Sequence, residues 1–391
     1  MFNICCSIRS QIWRHCLTVW AGLVATLFFA QPLFSQPISS TSAPNNSIYP
    51  DVVKFSYSLS GKSFSNENGS DGKVISALVG GQFHHQINDN LEINADLGVQ
   101  LESGRTQDFY VDSGTENRIR LNEALLNFKP FRATEFKAGA VNQGLQKTPL
   151  LVSSSAFPAF VERLEFFGNS RHKVSLQMQQ AIPTSESYST EVVESEPTPY
   201  YMLETVNYKF LSDSKKWETD FYLHYFSFYR LPSAVAIKGE LFGNQVVRPT
   251  IETADFLYPF QGAYFKLDQR FEFLENWGLS GSVDYLRNYK SPKETGSAHA
   301  LRLGLDYSRS DDKYFVAAEI FSIGPNAAPA FYGNTLYGYT NRQGFGLDLG
   351  VEQVRQDTKM GLKIYDSNLL YENLKQAHQR VIMLYIGVNY G

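Results

Sequence analysis

Residues 379–391 read QRVIMLYIGVNYG, and every second side chain from Ile382 to Tyr390 is apolar. The alternate positions, from Val381 to Asn389, are mixed and become more polar toward the end. A two-residue period of this kind is typical of a β-strand with one apolar face. A soluble antiparallel sheet shows the same alternation, so the rest of the chain must decide between a soluble sheet and a membrane barrel.

The same period recurs along most of the chain, for example in LEINADLGVQL (91–101), HALRLGLDY (299–307) and FGLDLGV (345–351). Phase changes within 118–128 and 313–323 predict β-bulges there. We predict about sixteen strands, at 52–60, 73–86, 90–102, 118–128, 133–144, 161–167, 172–182, 200–210, 217–229, 261–273, 277–289, 298–309, 313–323, 343–355, 358–367 and 378–391.

The lengths of the connections alternate, and this alternation separates the two interpretations. Every second connection is a tight turn rich in Asn, Asp, Gly, Ser or Pro, such as KPFR (129–132) and GNSR (168–171). The connections between them are long: 61–72, 103–117, 145–160, 183–199, 230–260, 290–297, 324–342 and 368–377. Short turns on one side and long loops on the other are typical of a transmembrane antiparallel β-barrel, with both chain ends in the periplasm.

Composition is compatible with this fold and excludes some functions. The chain has 391 residues, 43% hydrophobic and 19% charged, and 23 Tyr, 29 Phe and 28 Gly favour β-structure. A formal net charge of −4 gives nucleic acid no electrostatic footprint, so we expect no nucleic-acid partner.

The first 35 residues differ from the rest. Arg9 and Arg14 precede an apolar run, LTVWAGLVATLFFA (17–30), and small residues surround Ser35. This pattern predicts a signal peptide at 1–35, with an uncleaved anchor as the alternative, followed by a Ser/Pro/Asn-rich leader at 36–50 and the barrel at 51–391. The three cysteines, Cys5, Cys6 and Cys16, lie in the signal segment, so we expect a mature chain without thiols.

In layout the sequence resembles the bacterial outer-membrane β-barrels and, with about sixteen strands, it is most similar to the general porins. The resemblance covers the whole predicted mature chain, and no family motif carries it. It implies the outer membrane of a Gram-negative bacterium, contact with lipid and lipopolysaccharide, insertion by the barrel-assembly machinery and a possible homotrimer. Barrels of this class usually end on an aromatic residue, whereas here Tyr390 precedes Gly391.

The strand phases divide the side chains between lipid and lumen. Candidates for the aromatic belts are Phe83, Phe128, Phe210, Trp217, Phe273, Trp277, Tyr307 and Tyr390 near the short turns, and Phe228, Tyr285, Tyr289, Phe321, Phe345 and Tyr365 near the long loops. Candidates that line the pore are Arg118, Arg120, Lys266, Arg270, Asp284, Arg302, Asp306, Asp348, Lys359 and Lys363. Both signs of charge are present, so no ion selectivity follows.

Three long connections have unusual compositions. The apolar LQKTPLLVSSSAFPAF (145–160) follows the fifth predicted strand, and in general porins the loop after the fifth strand narrows the pore. That resemblance implies a constriction with Lys147, Glu162, Arg163 and Glu165 nearby; a loop over the mouth or against a neighbouring subunit is the alternative. The acidic 183–199 could bind divalent cations or be a solvated loop, and 230–260 contains the apolar DFLYPF (255–260).

Motifs for catalysis or for binding a metal or cofactor are not apparent. The seven histidines are scattered without zinc-site spacing, and His224 and Ser227 fall on opposite faces of one strand. We therefore predict a porin for passive diffusion of small hydrophilic solutes, with no enzymatic activity and no cofactor. The alternatives are a loop-plugged barrel with a structural or adhesion role, and a transporter of hydrophobic compounds.

Overall fold

The computed structural model describes residues 52–66, 71–107, 117–153, 155–184, 196–214, 216–248 and 253–390. The predicted signal peptide (1–35), the leader (36–50) and most of the acidic connection lie outside these residues. Eighteen strands are assigned: β1 Val52–Asn66, β2 Asp71–Asn88, β3 Leu91–Gln107, β4 Arg118–Phe131, β5 Thr134–Asn142, β6 Ala156–Gly168, β7 His172–Ala181, β8 Tyr200–Leu211, β9 Trp217–Tyr229, β10 Val246–Val247, β11 Asp255–Phe256, β12 Gln261–Leu274, β13 Trp277–Asn288, β14 Ser297–Arg309, β15 Asp312–Ile323, β16 Arg342–Gln353, β17 Thr358–Leu369 and β18 Gln379–Tyr390.

Sixteen of these strands form one closed antiparallel barrel, which confirms the predicted fold. Only β10 and β11 stand apart, as a two-residue hairpin inside a loop. The barrel closes where β1 pairs with β18, from Phe55 opposite Tyr390 to Asn66 opposite Gln379. Closure gives every strand a hydrogen-bonded neighbour on both sides. Such closure is required in the hydrocarbon core of a bilayer, because lipid tails offer no hydrogen-bond partner to a free backbone N–H or C=O group.

The connections alternate in length as predicted, with two differences. The tight turns are built by side chains that accept backbone N–H bonds: Asn88 Oδ1 accepts from Asn90 (2.9 Å), and Asn169 Oδ1 accepts from Arg171 (2.8 Å). However, β1 and β2 extend through most of 61–72, and β3 extends to Gln107. The polar ends of these strands lack the apolar alternation from which their bounds were predicted.

A register shift between Asp96 and Leu97, opposite β4, confirms the predicted bulge in 118–128. The bulge predicted in 313–323 is wrong, because β15 pairs without a shift on both sides. Ala317 and Ala318 lie on opposite faces of β15 and have the same side chain. The apparent phase change therefore came from loss of contrast between the faces and not from an extra residue.

The outer surface of the barrel is apolar. Ile75, Leu101, Leu303, Ile320 and Leu384 are each more than half exposed, which would be unfavourable over such an area in water but is required against lipid. Aromatic residues lie at both ends of the outer surface. Exposed members of the two predicted belts are Phe83, Phe128, Trp217, Phe273 and Trp277 near the short turns, and Tyr285, Tyr289 and Phe345 near the long loops.

Three aromatics predicted for the outer belt instead face the lumen. Phe228, Phe321 and Tyr365 are only 4%, 3% and 4% exposed and belong to one buried apolar cluster. Near the long loops both faces of these strands carry large apolar residues. The two-residue period therefore gave no contrast from which to assign the faces.

In the described part of the chain, helical structure lies in the connections. Helix α1 (Ser233–Leu241) lies in the connection between β9 and β12, and short 3₁₀ helices occur at Gln143–Gln146, Ala330–Tyr332 and Val354–Gln356. Among the described residues, no helix combines the length and apolar character needed to span a membrane.

Candidate functional site

The ten predicted pore-lining residues lie on the strand face that points into the barrel. Along β12 the buried or half-buried Tyr264, Lys266 and Asp268 alternate with outward Phe265 and Leu267. Along β14 the inward Arg302 and Asp306 alternate with Leu301, Leu303 and Leu305. The pleat alone explains this placement, because successive side chains point to opposite faces.

Lys266 is the centre of the first charged group on this wall. Its ammonium lies 3.0 Å from Asp268 and 3.2 Å from Asp284, and it donates to Ser282 Oγ at 2.8 Å. The hydroxyl of Tyr264 donates to Asp284 Oδ1 at 2.5 Å. Lys266 and Asp284 are 7% and 5% exposed, so each neutralises a charge that would otherwise be costly to bury.

Arg302 is the centre of a second group. Its guanidinium lies 2.9 Å from Asp348 and 3.6 Å from Glu319. Glu319 also accepts hydrogen bonds from the hydroxyls of Tyr337 (2.6 Å) and Tyr365 (2.9 Å). Tyr337 belongs to the connection after β15, and burial together with the charge of Glu319 raises its pKa, so the phenol stays a donor. Glu319 is therefore a strand residue that holds a loop inside the barrel.

The sequence did not identify Glu319 as a functional candidate, since the supposed bulge in 313–323 left its face undecided. The alternation of Phe315, Ala317, Glu319 and Phe321 was the signal that could have assigned it to the lumen.

The remaining predicted residues make longer contacts on the same wall. Asp306 lies 3.6 Å from Arg270 and 3.4 Å from Lys313, near the short turns. Lys359 and Lys363 pack over the rings of Phe315 and Tyr385, at 4.8 and 5.2 Å from the ring centroids. A recess of about 400 Å³ on this wall is bounded by three acidic and three basic side chains: Glu218, Asp220, Asp268, Lys266, Arg270 and Arg302.

The connection after β5 folds into the lumen. Gln143 accepts a hydrogen bond from Gln179 of β7 (2.7 Å), and these two amides are 1% and 0% exposed. Leu150, Leu151 and Val152 are almost completely buried. The backbone of Leu150 hydrogen-bonds the Tyr264 hydroxyl on β12, five strands away in the barrel order. This segment therefore crosses the interior instead of covering the mouth.

The four residues predicted for a constriction occupy different places. Lys147 is exposed in a left-handed conformation (φ 60°), and its charge acts on Asp220 of β9. Arg163 and Glu165 are on the inward face of β6, and the charge of Arg163 acts on Tyr222. Glu162 lies on the outer face, opposite Phe136 and Met178, so it does not line the lumen.

Two further connections, between β9 and β12 and between β15 and β16, enter the lumen and are joined by hydrogen bonds. Asn244, 2% exposed, donates to the carbonyls of Pro325 (2.6 Å) and Ala328 (2.9 Å) and accepts from the amide of Ala330 (2.7 Å). Lys375, in the connection between β17 and β18, forms an ion pair with Glu240 at 2.6 Å. We call the described parts of 143–155, 230–260 and 324–341 the loop plug.

The interior of the loop plug is apolar. Tyr332 packs edge-on against Phe157 (centroids 5.3 Å apart) and stacks on Phe228 (6.0 Å), while the amide of Ser153 donates to its carbonyl at 2.8 Å. Phe256 and Phe260, from the apolar 255–260 stretch, are 8% and 2% exposed in the same cluster. These side chains are apolar because they pack against one another and against inward-facing aromatics.

The loop plug packs on one side of the barrel. The buried barrel-strand residues of its cluster come from β6–β9, β12–β15, β17 and β18, and β1–β4 contribute only the partly buried Phe64 among the described residues. The inward face of β1–β3 carries a group of small residues among larger ones such as Lys54, Gln82 and Gln100. We call this group the small-residue wall; its members are half-exposed except for the buried Gly98, and they are Ser56, Ser58, Ser60, Ser76, Gly80 and Gly98.

Two predicted pore-lining arginines border this wall. Arg120 pairs across the sheet with Gly98, which in turn pairs with Gly80, and the charges of Arg118 and Asp96 act on it. Arg118 donates to Gln100 at 3.4 Å. Neither arginine has a carboxylate within 4.0 Å among the described residues, in contrast to Arg302 and Lys266 across the barrel.

Solved structures with similar folds are bacterial outer-membrane proteins. OprB of Pseudomonas putida superposes with a TM-score of 0.53 at 11% identity, covering 86% of this chain and 93% of OprB. OmpF of Salmonella typhi, solved in complex with daunomycin, gives 0.52 at 10% identity, covering 86% and 97%. No protein-family model and no curated protein sequence matches the chain. At these identities the likeness concerns the fold: the chain is a closed, sixteen-stranded transmembrane β-barrel of the kind formed by outer-membrane porins.

Proposed function

We propose that the protein lies in the outer membrane of a Gram-negative bacterium and conducts small hydrophilic solutes passively, along the small-residue wall. The observation that carries this proposal is the one-sided packing of the loop plug. Its buried cluster involves the barrel strands β6–β9, β12–β15, β17 and β18, whereas Ser56, Ser58, Ser60, Ser76 and Gly80 of β1 and β2 stay half-exposed.

A sixteen-stranded barrel is wide enough for a water-filled lumen, which an eight-stranded barrel is not. Where the loop plug fills part of that lumen, solutes must pass beside it. Hydroxyl groups and bare backbone offer water and polar solutes hydrogen bonds without narrowing the path. The path is therefore displaced from the barrel axis, and its width is set by the distance between the plug and β1–β3.

Charge along this path favours anions weakly. Arg118 and Arg120 are inward and free of carboxylate partners within 4.0 Å among the described residues, while the opposite wall balances its charges in pairs. Unpaired positive charge raises the local concentration of anions in water within about 10 Å at ordinary salt.

One observation favours the second candidate, a plugged barrel with a structural or adhesion role. The loop plug is held by buried hydrogen bonds such as those of Asn244, as a permanent stopper would be. The transporter of hydrophobic compounds is less well supported, since Leu151, Phe256 and Phe260 are buried within the plug and present no apolar route.

Conductance of the purified protein in planar bilayers tests the proposal, with cysteine reporters to locate the path. All three natural cysteines lie in the predicted signal peptide, so introduced thiols are unique in the mature chain. We expect stepwise conductance that falls at least twofold when Ser58→Cys reacts with a charged thiol reagent. Ala300→Cys, buried behind the plug (3% exposed), is the control and should not respond. Silent bilayers would instead identify the plugged barrel.

Contacts with lipopolysaccharide and with the barrel-assembly machinery stay predictions from the porin resemblance. Swelling of liposomes in sugars of graded size would give the width of the path once conductance is established.

A further inference from the structure

The recess of about 400 Å³ lies on the charged wall of the lumen, away from the small-residue wall. It is built on four neighbouring strands, β9, β12, β13 and β14. In the sheet, Asp268 of β12 pairs with Ser282 of β13, which pairs with Arg302 of β14. One row nearer the short turns, Arg270 pairs with Ser280. Two small hydroxyl side chains therefore form the floor of the recess, and charged side chains surround them.

Oppositely charged neighbours at the recess lean away from each other. Arg270 lies directly opposite Glu218 in the sheet, a position at which opposite charges attract. No ion pair within 4.0 Å joins them, although both lie in the described part of the chain. Glu218 instead forms a close ion pair with Lys209 of β8, while Arg270 reaches across β13 toward Asp306 of β14. The recess therefore opens between a carboxylate on the β9 side and a guanidinium on the β14 side.

The charged groups at the recess keep unused hydrogen-bonding capacity. The side chain of Arg270 is 44% exposed, and its carboxylate neighbours, Glu272 and Asp306, are both 3.6 Å away, beyond hydrogen-bond length. Asp268 is 36% exposed and has Lys266 as its one ion-pair partner among the described residues, through Oδ1. A guanidinium fork and a carboxylate oxygen are thus open to a solute in the lumen.

The floor of the recess adds a third open group. The hydroxyl of Ser282 accepts a hydrogen bond from Lys266 (2.8 Å) and donates to Asp284 (3.1 Å). Ser280, by contrast, makes no hydrogen bond with another described residue. Its neighbour in the sheet is Gly304, where a Cβ would lie 2.5 Å from the Ser280 hydroxyl oxygen. A larger residue at 304 would force this hydroxyl to move, so glycine keeps it in place on the floor.

We propose that the recess binds the ammonium and carboxylate groups of a free α-amino acid. The carboxylate accepts hydrogen bonds from the Arg270 fork and the Ser280 hydroxyl, and the ammonium donates to Asp268. Residues two apart on a strand are separated by about 6.7 Å, and the lean of Arg270 toward β14 widens this gap. A ligand whose two charges are one carbon apart fits between them with a hydrogen bond at each end.

Charges of both signs make the recess selective for this class of solute. A simple anion meets three carboxylates there, and a simple cation meets three basic side chains. A zwitterion with adjoining charges pairs with both, and its own side chain extends into the lumen without contributing to recognition. The inference rests on the proposed function, because it names a class of solute that the channel takes up, but binding itself requires no conduction.

Saturation-transfer NMR on the purified, folded protein in detergent tests the site, with L-alanine as the probe. L-Alaninamide lacks the carboxylate and N-acetyl-L-alanine lacks the ammonium, so they are matched ligands. We expect L-alanine to bind at least about tenfold more tightly than either, because each analogue leaves charged groups of the recess without a partner. Absence of L-alanine binding, or equal binding of the three compounds, would overturn the proposal.

Variants locate the binding in the recess. Arg270→Gln and Asp268→Asn should each weaken L-alanine binding at least about tenfold, since each removes one charge that the ligand pairs with. Ser280→Leu should abolish it by filling the floor, with every charge left in place. Arg287→Gln is the matched control, because Arg287 binds the carbonyls of Ser291 and Pro292 outside the recess, and it should leave binding unchanged. Heat-dependent migration on gels shows that each variant is folded.

The outcomes separate this site from the channel. Wild-type affinity in Arg270→Gln and Ser280→Leu would place L-alanine elsewhere and refute the site. Stepwise conductance without L-alanine binding would refute the site and leave the channel intact. Silent bilayers with L-alanine binding that depends on Arg270 would refute conduction and support the site.

Discussion

Asn244 gives the sharpest test of the loop plug, because one side chain joins two loops that are far apart in sequence. It makes three hydrogen bonds to the segment 325–330 and is 2% exposed. In the variant Asn244→Ala, two carbonyls and one amide inside the plug lose their partner. Little else changes, since the side chain touches the lumen wall through none of these bonds.

The magnitude follows from the three bonds. Each contributes about 1 kcal/mol net, so the docked plug should lose about 3 kcal/mol. Since about 1.4 kcal/mol corresponds to a factor of ten, the undocked population should rise about a hundredfold. The barrel itself should be unaffected, because its strands pair without Asn244.

Limited proteolysis measures that population directly. Lys238 lies inside helix α1 of the plug, so trypsin can cut after it only when the helix unfolds from its site. When opening and closing are faster than cleavage, the cleavage rate follows the equilibrium population of the open state. We therefore expect cleavage after Lys238 to be about a hundredfold faster in Asn244→Ala, quantified by mass spectrometry of the fragments.

Asn334→Ala is the matched control, because Asn334 makes one local bond, to the amide of Leu336 (2.9 Å), within the same loop. It should change the cleavage rate by less than about threefold. If both variants were cut at the wild-type rate, Asn244 would not hold the plug, and the plug would not be a unit that docks on the barrel.

Three further predictions concern the charges in the lumen and the connection after β5. Arg120→Gln should lower the anion-to-cation permeability ratio about twofold in dilute salt, with little effect at 1 M, as read from reversal potentials; Arg287→Gln at the barrel rim should not. Lys266→Met leaves Asp268 and Asp284 without their cation and should destabilise the barrel by about 3 kcal/mol, measured as a lower urea midpoint on folding gels. Lys359→Met, whose amine lies over an aromatic ring, should cost less than about 1 kcal/mol in the same assay, and equal losses would contradict the role of the pair. Gln143→Leu deprives the buried Gln179 amide of its acceptor and should speed tryptic cleavage after Lys147 about tenfold, whereas Leu145→Ala, 63% exposed, should leave it unchanged.

The barrel could be predicted from the sequence because its determinants are local. A strand such as 299–307 shows its two faces within nine residues, and a turn such as 168–171 shows its length directly. Alternating short and long connections then indicate a transmembrane barrel, because a closed sheet pairs every backbone group within the membrane. Which side chains face the lipid and which face the lumen was predicted from the same local pattern. That prediction was wrong at Phe228, Phe321 and Tyr365, near the long loops, where both faces of the strands carry large apolar residues.

The contents of the lumen were decided only by the tertiary structure. Asn244 meets Pro325 across 81 residues of sequence, and Tyr365 meets Glu319 across 46. Such contacts exist only after the ring has closed and brought loops from different strands into one enclosed space. The sequence of an apolar loop such as 145–160 does not show whether the loop packs inside the barrel, over its mouth or against a neighbouring subunit. Periodicity reports which way a side chain points, whereas burial depends on what the closed barrel places opposite it.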